Sequence, residues 1–269
     1  MDKRNKALLE FAEELALSSG HWMVEQRNNI IELEYESKSN HIDLVTRVDR
    51  EVEQMVVARI RKHFPDHLIL GEESTSVNDF SIIEHNLEFC WVIDPIDGTM
   101  NFVHGIPHFA ISIAVVKNGI PLAGVVYNPN SKELFSAARG WGARLNGKKI
   151  TVSKQDTFKN SLVSTGFAAA DWHIESPFRS EVQKVFGHCR SIRISGSSAL
   201  DLAYIAAGRM DGFWHRKLAP WDIAAGILLV EEAGGKVSSL DGQFFQFTDD
   251  YLIVSNGLIH DGIISFLEE

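Results

Sequence analysis

The sequence is short of cysteine, of basic residues and of long apolar runs, and each shortage removes a class of protein. Two cysteines in 269 residues, Cys90 and Cys189, stand 99 positions apart. They flag no disulfide framework and no zinc ribbon, and read as reduced thiols of a cytosolic protein. No stretch approaches the ~18 uncharged apolar residues of a membrane span. The opening MDKRNKALLEFAEELALSSG scatters charge among its apolar positions and lacks the apolar core of a signal peptide. A soluble cytoplasmic protein without a membrane partner is the expectation. Lys and Arg number 26 against 36 Asp and Glu, a formal charge of −10. That balance argues against a nucleic-acid-binding surface, though not against a local basic patch.

What is present is ordinary for a globular chain. Hydrophobic residues are 45% and charged residues 23%, which excludes a disordered or collagen-like polymer. The length prior of roughly 150 residues per domain allows one large or two small domains. There is no internal repeat, low-complexity tract or long linker.

Apolar spacing predicts a helix over 3–25, through Leu8, Leu9, Phe11, Ala12, Leu15 and Ala16, and another over 47–63, stopped by Pro65. A polar segment, 38–41, leads into 42–46 between them. Short strands are expected at 68–70 and 89–93. Strands at 109–117 and 122–127 flank Asn118-Gly119, a hairpin signal, and Asn146-Gly147 marks a second hairpin within 134–152. Past residue 155 short strands alternate with helices, including 198–208 and 222–234. The expected division is an α+β part over 1–150 and an α/β part over 151–269, closely associated as one unit.

The informative stretch is FCWVIDPIDGTMNF, residues 89–102. Asp94 stands where an apolar strand runs out, Pro95 forces a turn, and Asp97 can fold back to share a cation with Asp94. Hard divalent ions take such oxygen ligands, and clustered carboxylates otherwise repel. Gly98-Thr99 supplies N–H groups at a helix start, suited to an anion. Turn chemistry alone also explains Asp-Pro and Asp-Gly. Gly71-Glu72-Glu73 and Trp221-Asp222 add two further acidic positions, readable separately as a solvated loop and as an N-terminal helix Asp.

GEES at 71–74, WVIDPIDGTMNF at 91–102 and WDIAAGILLVEEAGG at 221–235 resemble the inositol monophosphatase family, of the lithium-sensitive, Mg²⁺-dependent sugar phosphatase superfamily. DLVTRVD at 43–49, Lys38 and IRISGSSALDLAYIAAGRMDGF at 192–213 extend the match. The resemblance implies a layered αβαβα sandwich of the inositol monophosphatase and fructose-1,6-bisphosphatase type, usually homodimeric. It implies two or three Mg²⁺ per site. Glu72, Asp94, the Ile96 carbonyl and Thr99 match the surroundings of the first ion, Asp94, Asp97 and Asp222 those of the second, and Glu72 that of a looser third. Asp49 and Thr99 match the pair that helps activate the attacking water, with Glu72 in the catalytic set. Asp97, Gly98, Thr99 and Asp222 match phosphate contacts, and Gly196 and Ser198 contacts to a polyol ring. Lys38 and Glu73 match positions beside the site.

One position departs from that pattern. Animal members carry Glu six residues before the tryptophan of the WD motif, where it contacts inositol; here it is His215. An imidazole is not an acceptor-only carboxylate. With Arg216 and Lys217 beside it, His215 weakens the case for myo-inositol 1-phosphate and favours a substrate with an extra negative group.

The expected function is Mg²⁺-dependent hydrolysis of a small polyol phosphate by direct in-line attack of water. Fructose 1,6-bisphosphate, NADP and 3′-phosphoadenosine nucleotides stay open as substrates. So does a non-catalytic Mg²⁺-binding protein with a macromolecular partner. Other signals are discounted. GARLNGK at 142–148 is followed by Lys149 rather than Ser or Thr, and Ser195–Ser198 lacks the spacing of a nucleophile elbow. His104 and His108 are read as loop or rim residues, and Trp141 and Trp172 are left without a role.

Overall fold

Every residue from Cys90 to Asp97 is buried, so this strand needs apolar cover on both faces of its sheet. The computed structural model, which describes residues 3–29, 35–38, 44–75, 80–85, 88–168 and 171–268, supplies that cover from two helical layers. Residues 39–41 of the polar segment and residues 42–43 after it lie outside the described residues.

The chain opens with α1 (Lys3–Asn29), a short antiparallel ladder of β1 (Tyr35–Ser37) with β2 (Leu44–Thr46), and α2 (Arg47–His63). There follow β3 (Leu68–Gly71), α3 (Ser81–His85), β4 (Cys90–Asp97), α4 (Thr99–His104), β5 (Ala110–Lys117), β6 (Ile120–Asn128), β7 (Glu133–Ala138), β8 (Gly142–Leu145) and β9 (Lys148–Lys149). The remainder is β10 (Leu162–Thr165), α5 (Pro177–Val185), β11 (Ser191–Arg193), α6 (Ser198–Ala206), β12 (Gly212–Arg216), α7 (Pro220–Glu232), β13 (Lys236–Ser238), β14 (Tyr251–Ser255) and α8 (His260–Glu268).

Strands β3 to β9 form one sheet in chain order, antiparallel except for the parallel β3–β4 pair. A second, mixed sheet has the order β11-β10-β12-β14-β13. Helices α1 and α2 cover the outer face of the first sheet, α6 and α7 lie between the sheets, and α5 and α8 cover the far face of the second. The result is the αβαβα sandwich that the resemblance implies.

Local chemistry explains the layers. Trp91 and Ile93 point into the α1/α2 core, while Cys90 and Val92 point into the central one. Helix α7 is buried continuously from Ile223 to Val230, as a helix that is apolar all round must be. Helix α2 buries only one stripe, Val48, Val52, Val56 and Ile60. Its Thr46 hydroxyl accepts the N–H groups of Val48 and Asp49 at 3.1 and 3.3 Å, a capping arrangement. Asn118 and Gly119 have φ of 54° and 71°, and Asn146 and Gly147 of 49° and 77°. Both pairs make the tight hairpin turns their sequence signals.

Boundaries differ modestly from the sequence reading. Helix α1 runs on to Asn29, and α7 starts at Pro220, because proline's fixed φ suits the first turn of a helix.

Candidate active site

Asp94 and Asp97 stand near the end of β4. In a regular strand, residues three apart face opposite sides. Here Asp94 pairs with Ser112 and Asp97 with Ala110, so three steps on β4 oppose two on β5. The extra residue is a bulge that returns Asp97 to the side of Asp94. Asp222 arrives from the first turn of α7, where its Oδ2 accepts the Ala219 N–H at 2.9 Å. One carboxylate oxygen from each of Asp94, Asp97 and Asp222 lies within 4.8 Å of the other two. Glu72 follows β3, tied to β4 by its N–H donating to the Ile93 carbonyl at 3.1 Å.

Burial pushes Asp94 and Asp222 well above the ordinary carboxylate range, and the charges of Glu72 and Asp97 push them further. Burial raises Asp97 to about 7, against the lowering effect of its donors, the Ser197 hydroxyl and the N–H groups of Ala199 and Ser198. Such a cluster holds its charge only beside positive charge. Asp94 Oδ1 is buried and has no hydrogen-bond partner among the described residues, a costly state for an acceptor. An all-oxygen donor set with a buried, unused acceptor fits a hard divalent cation such as Mg²⁺.

Lys38 Nζ donates to Glu72 at 2.8 Å and to Glu73 at 2.5 Å. Burial works against the Lys38 ammonium, but Glu72 and Glu73 outweigh it and its pKa is raised. Burial raises Glu73 to about 7 despite the hydrogen bond from Lys38.

The Thr99 hydroxyl lies 3.2 Å from Asp49 Oδ1 and 3.0 Å from the Ile96 carbonyl. It has one proton, so it donates to one of them at a time. Burial raises Asp49 to about 6, opposed by the Thr46 hydroxyl and N–H, both of which donate to its other oxygen. Gly98 has φ of 94°, and a Cβ there would sit 3.0 Å from the Gly196 carbonyl. Glycine at Gly98 thus sets both the left-handed turn into α4 and the approach of the Gly196 loop. Asn101 Nδ2 ties the two together by donating to the His108 and Ser195 carbonyls at 2.8 and 2.9 Å.

Glu72, Asp97, Gly98, Thr99, Asn101 and Asp222 border a cleft of about 660 Å³ that also takes in Phe167, Trp172, Ile194, Gly196, Ser198, His215 and Lys217. Gly196 and Ser198 both border the cleft, and the Ser198 N–H is used on Asp97 at 3.1 Å. His215 is 4% exposed, and burial lowers its pKa to about 4. Its Nδ1 lies 2.6 Å from the Arg216 carbonyl. A neutral ring that donates from Nδ1 leaves Nε2 as an acceptor. So His215 keeps one acceptor nitrogen, Nε2, where a carboxylate would offer two acceptor oxygens and no donor. Arg216 faces the other way, 3.7 Å from Glu181 and over the Tyr251 ring, because successive strand residues alternate. Of the two cations beside His215, Lys217 reaches the cleft and Arg216 does not. His104 is exposed and His108 half-buried, and neither borders the cleft. Trp141 packs at the edge of the α1 core under Arg144.

The sequence reading missed Glu53 and Asn101. Glu53 is 3% exposed, and its carboxylate accepts the Glu73 N–H at 2.8 Å. A Cβ on Gly71 would lie 2.5 Å from the Glu53 carboxyl carbon, so only glycine lets this acid reach under the turn. The available signal was an acid four residues after Asp49, on the buried side of an amphipathic helix. For Asn101 the signal was only its place within WVIDPIDGTMNF, since its partners, the His108 and Ser195 carbonyls, are brought to it by the fold.

Comparisons with known proteins give the family and the fold. The model of the inositol monophosphatase family matches residues 4–269. The fructose-1,6-bisphosphatase/inositol-1-monophosphatase of Thermotoga maritima is 40% identical over 261 residues, covering 97% of this chain and 96% of that protein. The Nus factor SuhB of Pseudomonas aeruginosa is 43% identical over 216 residues, 80% of this chain and 79% of that one. The crystal structure of the extragenic suppressor protein suhB from Bartonella henselae superposes with a TM-score of 0.89 at 36% identity, covering 98% of this chain and 99% of that chain.

Proposed function

This chain belongs to the inositol monophosphatase family, and from that premise we propose that it is a Mg²⁺-dependent phosphomonoesterase that hydrolyses a small polyol phosphate such as myo-inositol 1-phosphate. The observation that carries the reading is the meeting of Asp94, Asp97 and Asp222 within 4.8 Å beside the Asp49–Thr99 pair. Glu72, Asp94, the Ile96 carbonyl, Asp97, Thr99 and Asp222 would hold Mg²⁺. Bound Mg²⁺ neutralises phosphate charge, lowers the pKa of the attacking water and stabilises the leaving oxygen.

The chain's own groups do the rest. The Thr99 hydroxyl orients the water and takes its proton while passing its own to Asp49 Oδ1, 3.2 Å away. The Gly98 and Thr99 N–H groups receive the phosphate oxygens. Donation from Ser197, Ser198 and Ala199 fixes the Asp97 carboxylate. His215 Nε2 accepts a substrate hydroxyl. Water attacks in line and no covalent phosphoenzyme forms. As in the family, activity is lithium-sensitive and the enzyme is a homodimer.

The test is phosphate release from myo-inositol 1-phosphate, glycerol 2-phosphate, fructose 1,6-bisphosphate, NADP and 3′-phosphoadenosine 5′-phosphate, with Mg²⁺ and with EDTA. Mg²⁺-dependent release supports the reading and ranks the substrates. No release by folded, Mg²⁺-loaded protein refutes it. The name Nus factor, carried by a 43% identical relative, favours a second reading: a macromolecular partner role beside or instead of catalysis. That role would survive Asp94→Asn, whereas hydrolysis would not.

A further inference from the structure

Asp201 is a buried acid, 2% exposed, on the border of the cleft. It stands apart from Asp94, Asp97 and Asp222, the three carboxylates that meet there. It belongs to the first turn of α6, where a helical side chain leans back toward the N-terminus. That lean carries its carboxylate over the loop that enters the helix. The Ser195 hydroxyl donates to Asp201 Oδ1 at 2.7 Å, and the Asp201 N–H donates to the Ser197 carbonyl at 3.1 Å. One residue thus grips residues 195–197 at both ends.

That loop joins two parts of the site. On one side the Ser195 carbonyl accepts Asn101 Nδ2 at 2.9 Å, which ties the loop to α4, the helix that starts at Thr99. On the other side the Ser197 hydroxyl and the N–H groups of Ser198 and Ala199 donate to the Asp97 carboxylate. Between them Gly196 turns the chain with φ of 78°, and a Cβ there would lie 3.1 Å from Asn101 Nδ2. The loop and α4 are therefore in close approach, and a shift of Ser195 moves the donors of Asp97 relative to the N–H groups of Gly98 and Thr99.

We propose that Asp201 is a positioning residue: through the Ser195 hydroxyl it fixes residues 195–197 against α4, and so holds the Asp97 carboxylate in register with the Gly98 and Thr99 N–H groups. The inference rests on the phosphatase reading and adds to it a residue that acts through Ser195 rather than on the ester. Burying a carboxylate is costly unless its oxygens are used, and Asp201 spends one of them on the hydroxyl that holds this loop. Reacting groups held by such a joint are sensitive to it, because a misplacement of about 1 Å set from far away costs on the order of a hundredfold in rate.

The experiment is a double-mutant cycle on the whole protein: wild type, Asp201→Ala, Ser195→Ala and the pair, with Asp201→Asn as the conservative variant. Each is read by kcat and KM at saturating Mg²⁺, by Mg²⁺ affinity in calorimetric titration, and by Tm without Mg²⁺. Asp201→Ala should lose about tenfold in kcat, with weaker Mg²⁺ binding and little change in KM. Ser195→Ala should lose as much, and the pair no more than either, because the two residues act as one unit. Asp201→Asn keeps an acceptor oxygen for Ser195 and should recover most of both losses. A role confined to folding lowers Tm and leaves kcat and Mg²⁺ affinity at wild-type values well below Tm, and that result overturns the proposal. So do losses that multiply in the pair. Losses that Asp201→Asn fails to recover assign the effect to the charge of Asp201, which faces Asp97, and overturn it too. Should Asp201→Ala not fold, Ser195→Ala decides alone, since it removes only a hydroxyl: wild-type kcat and Mg²⁺ affinity there overturn the proposal. No phosphate release by Mg²⁺-loaded wild type overturns the phosphatase reading instead, and Mg²⁺ affinity still tests Asp201.

Discussion

The Glu53 carboxylate, one helical turn beyond Asp49, accepts the backbone N–H of Glu73 at 2.8 Å. One face of α2 thereby serves two parts of the site: Asp49 meets Thr99, and Glu53 holds the turn that carries Glu72. Removing the acceptor in Glu53→Ala strands a half-buried N–H. The expected cost is about 2 kcal/mol, or roughly 4–8 °C in Tm. Mg²⁺ affinity, read by calorimetric titration, should weaken as well, because Glu72 loses its fixed approach. Glu53→Gln keeps an acceptor oxygen and should recover most of both. Equal Mg²⁺ affinity in Glu53→Ala and wild type would separate Glu53 from the site.

Thr99 offers a cleaner test of proton handling than Asp49, which also accepts from Thr46 at the start of α2. Thr99→Ala should lower kcat by roughly 10²-fold or more, the usual worth of a positioned proton-transfer group. Thr99→Ser should keep most of the rate. Steady-state kinetics at saturating Mg²⁺ decides it, and an Ala variant within a few-fold of wild type would remove the hydroxyl from the mechanism.

Acid should remove the contribution that the buried histidines make to stability. Burial lowers both His215 and His260 to about 4. Between about 4 and their ordinary value near 6.5, the unfolded chain binds more protons than the folded one. Their stabilisation is therefore whole above 6.5 and is lost as pH falls toward 4, at up to about 1.4 kcal/mol per unit for each group. The buried carboxyl groups tilt the opposite way: Asp201, Asp97 and Glu73 are raised to about 7 and Asp49 to about 6, and Asp94 and Asp222 are raised as well. Urea unfolding of wild type and His260→Gln at pH 7, 6 and 5 isolates the histidine: the variant should show a shallower loss toward pH 5. Parallel slopes would contradict the assignment.

The sequence is legible where one residue type has one reason to be there. Asn118-Gly119 and Asn146-Gly147 announce their turns because few residues tolerate positive φ in succession. The apolar stripe of α2 and the apolar length of α7 announce one-sided and complete burial. The carboxylates Asp94, Asp97, Glu72 and Asp222 are visible as acids at the ends of apolar strands or the head of an apolar helix. What stays hidden depends on geometry across the sheet. The bulge that turns Asp97 toward Asp94 is set by the β5 register. The acceptor role of His215 follows from its Nδ1 contact with a carbonyl and from burial. The opposite directions of Arg216 and Lys217 come from strand alternation followed by a left-handed turn. Trp172 finds its place only because Phe167 and Phe178 brace it.

The most direct test of the account is Asp94→Asn, measured for both Mg²⁺ binding and phosphate release from the best ester of the panel. Asp94 is 2% exposed with a raised pKa and an unused oxygen, so without Mg²⁺ the neutral amide should leave Tm unchanged or raised. The account predicts that Mg²⁺ no longer raises Tm by mass action and that hydrolysis falls at least a hundredfold. An Asp94→Asn protein that binds Mg²⁺ and releases phosphate like wild type would contradict it.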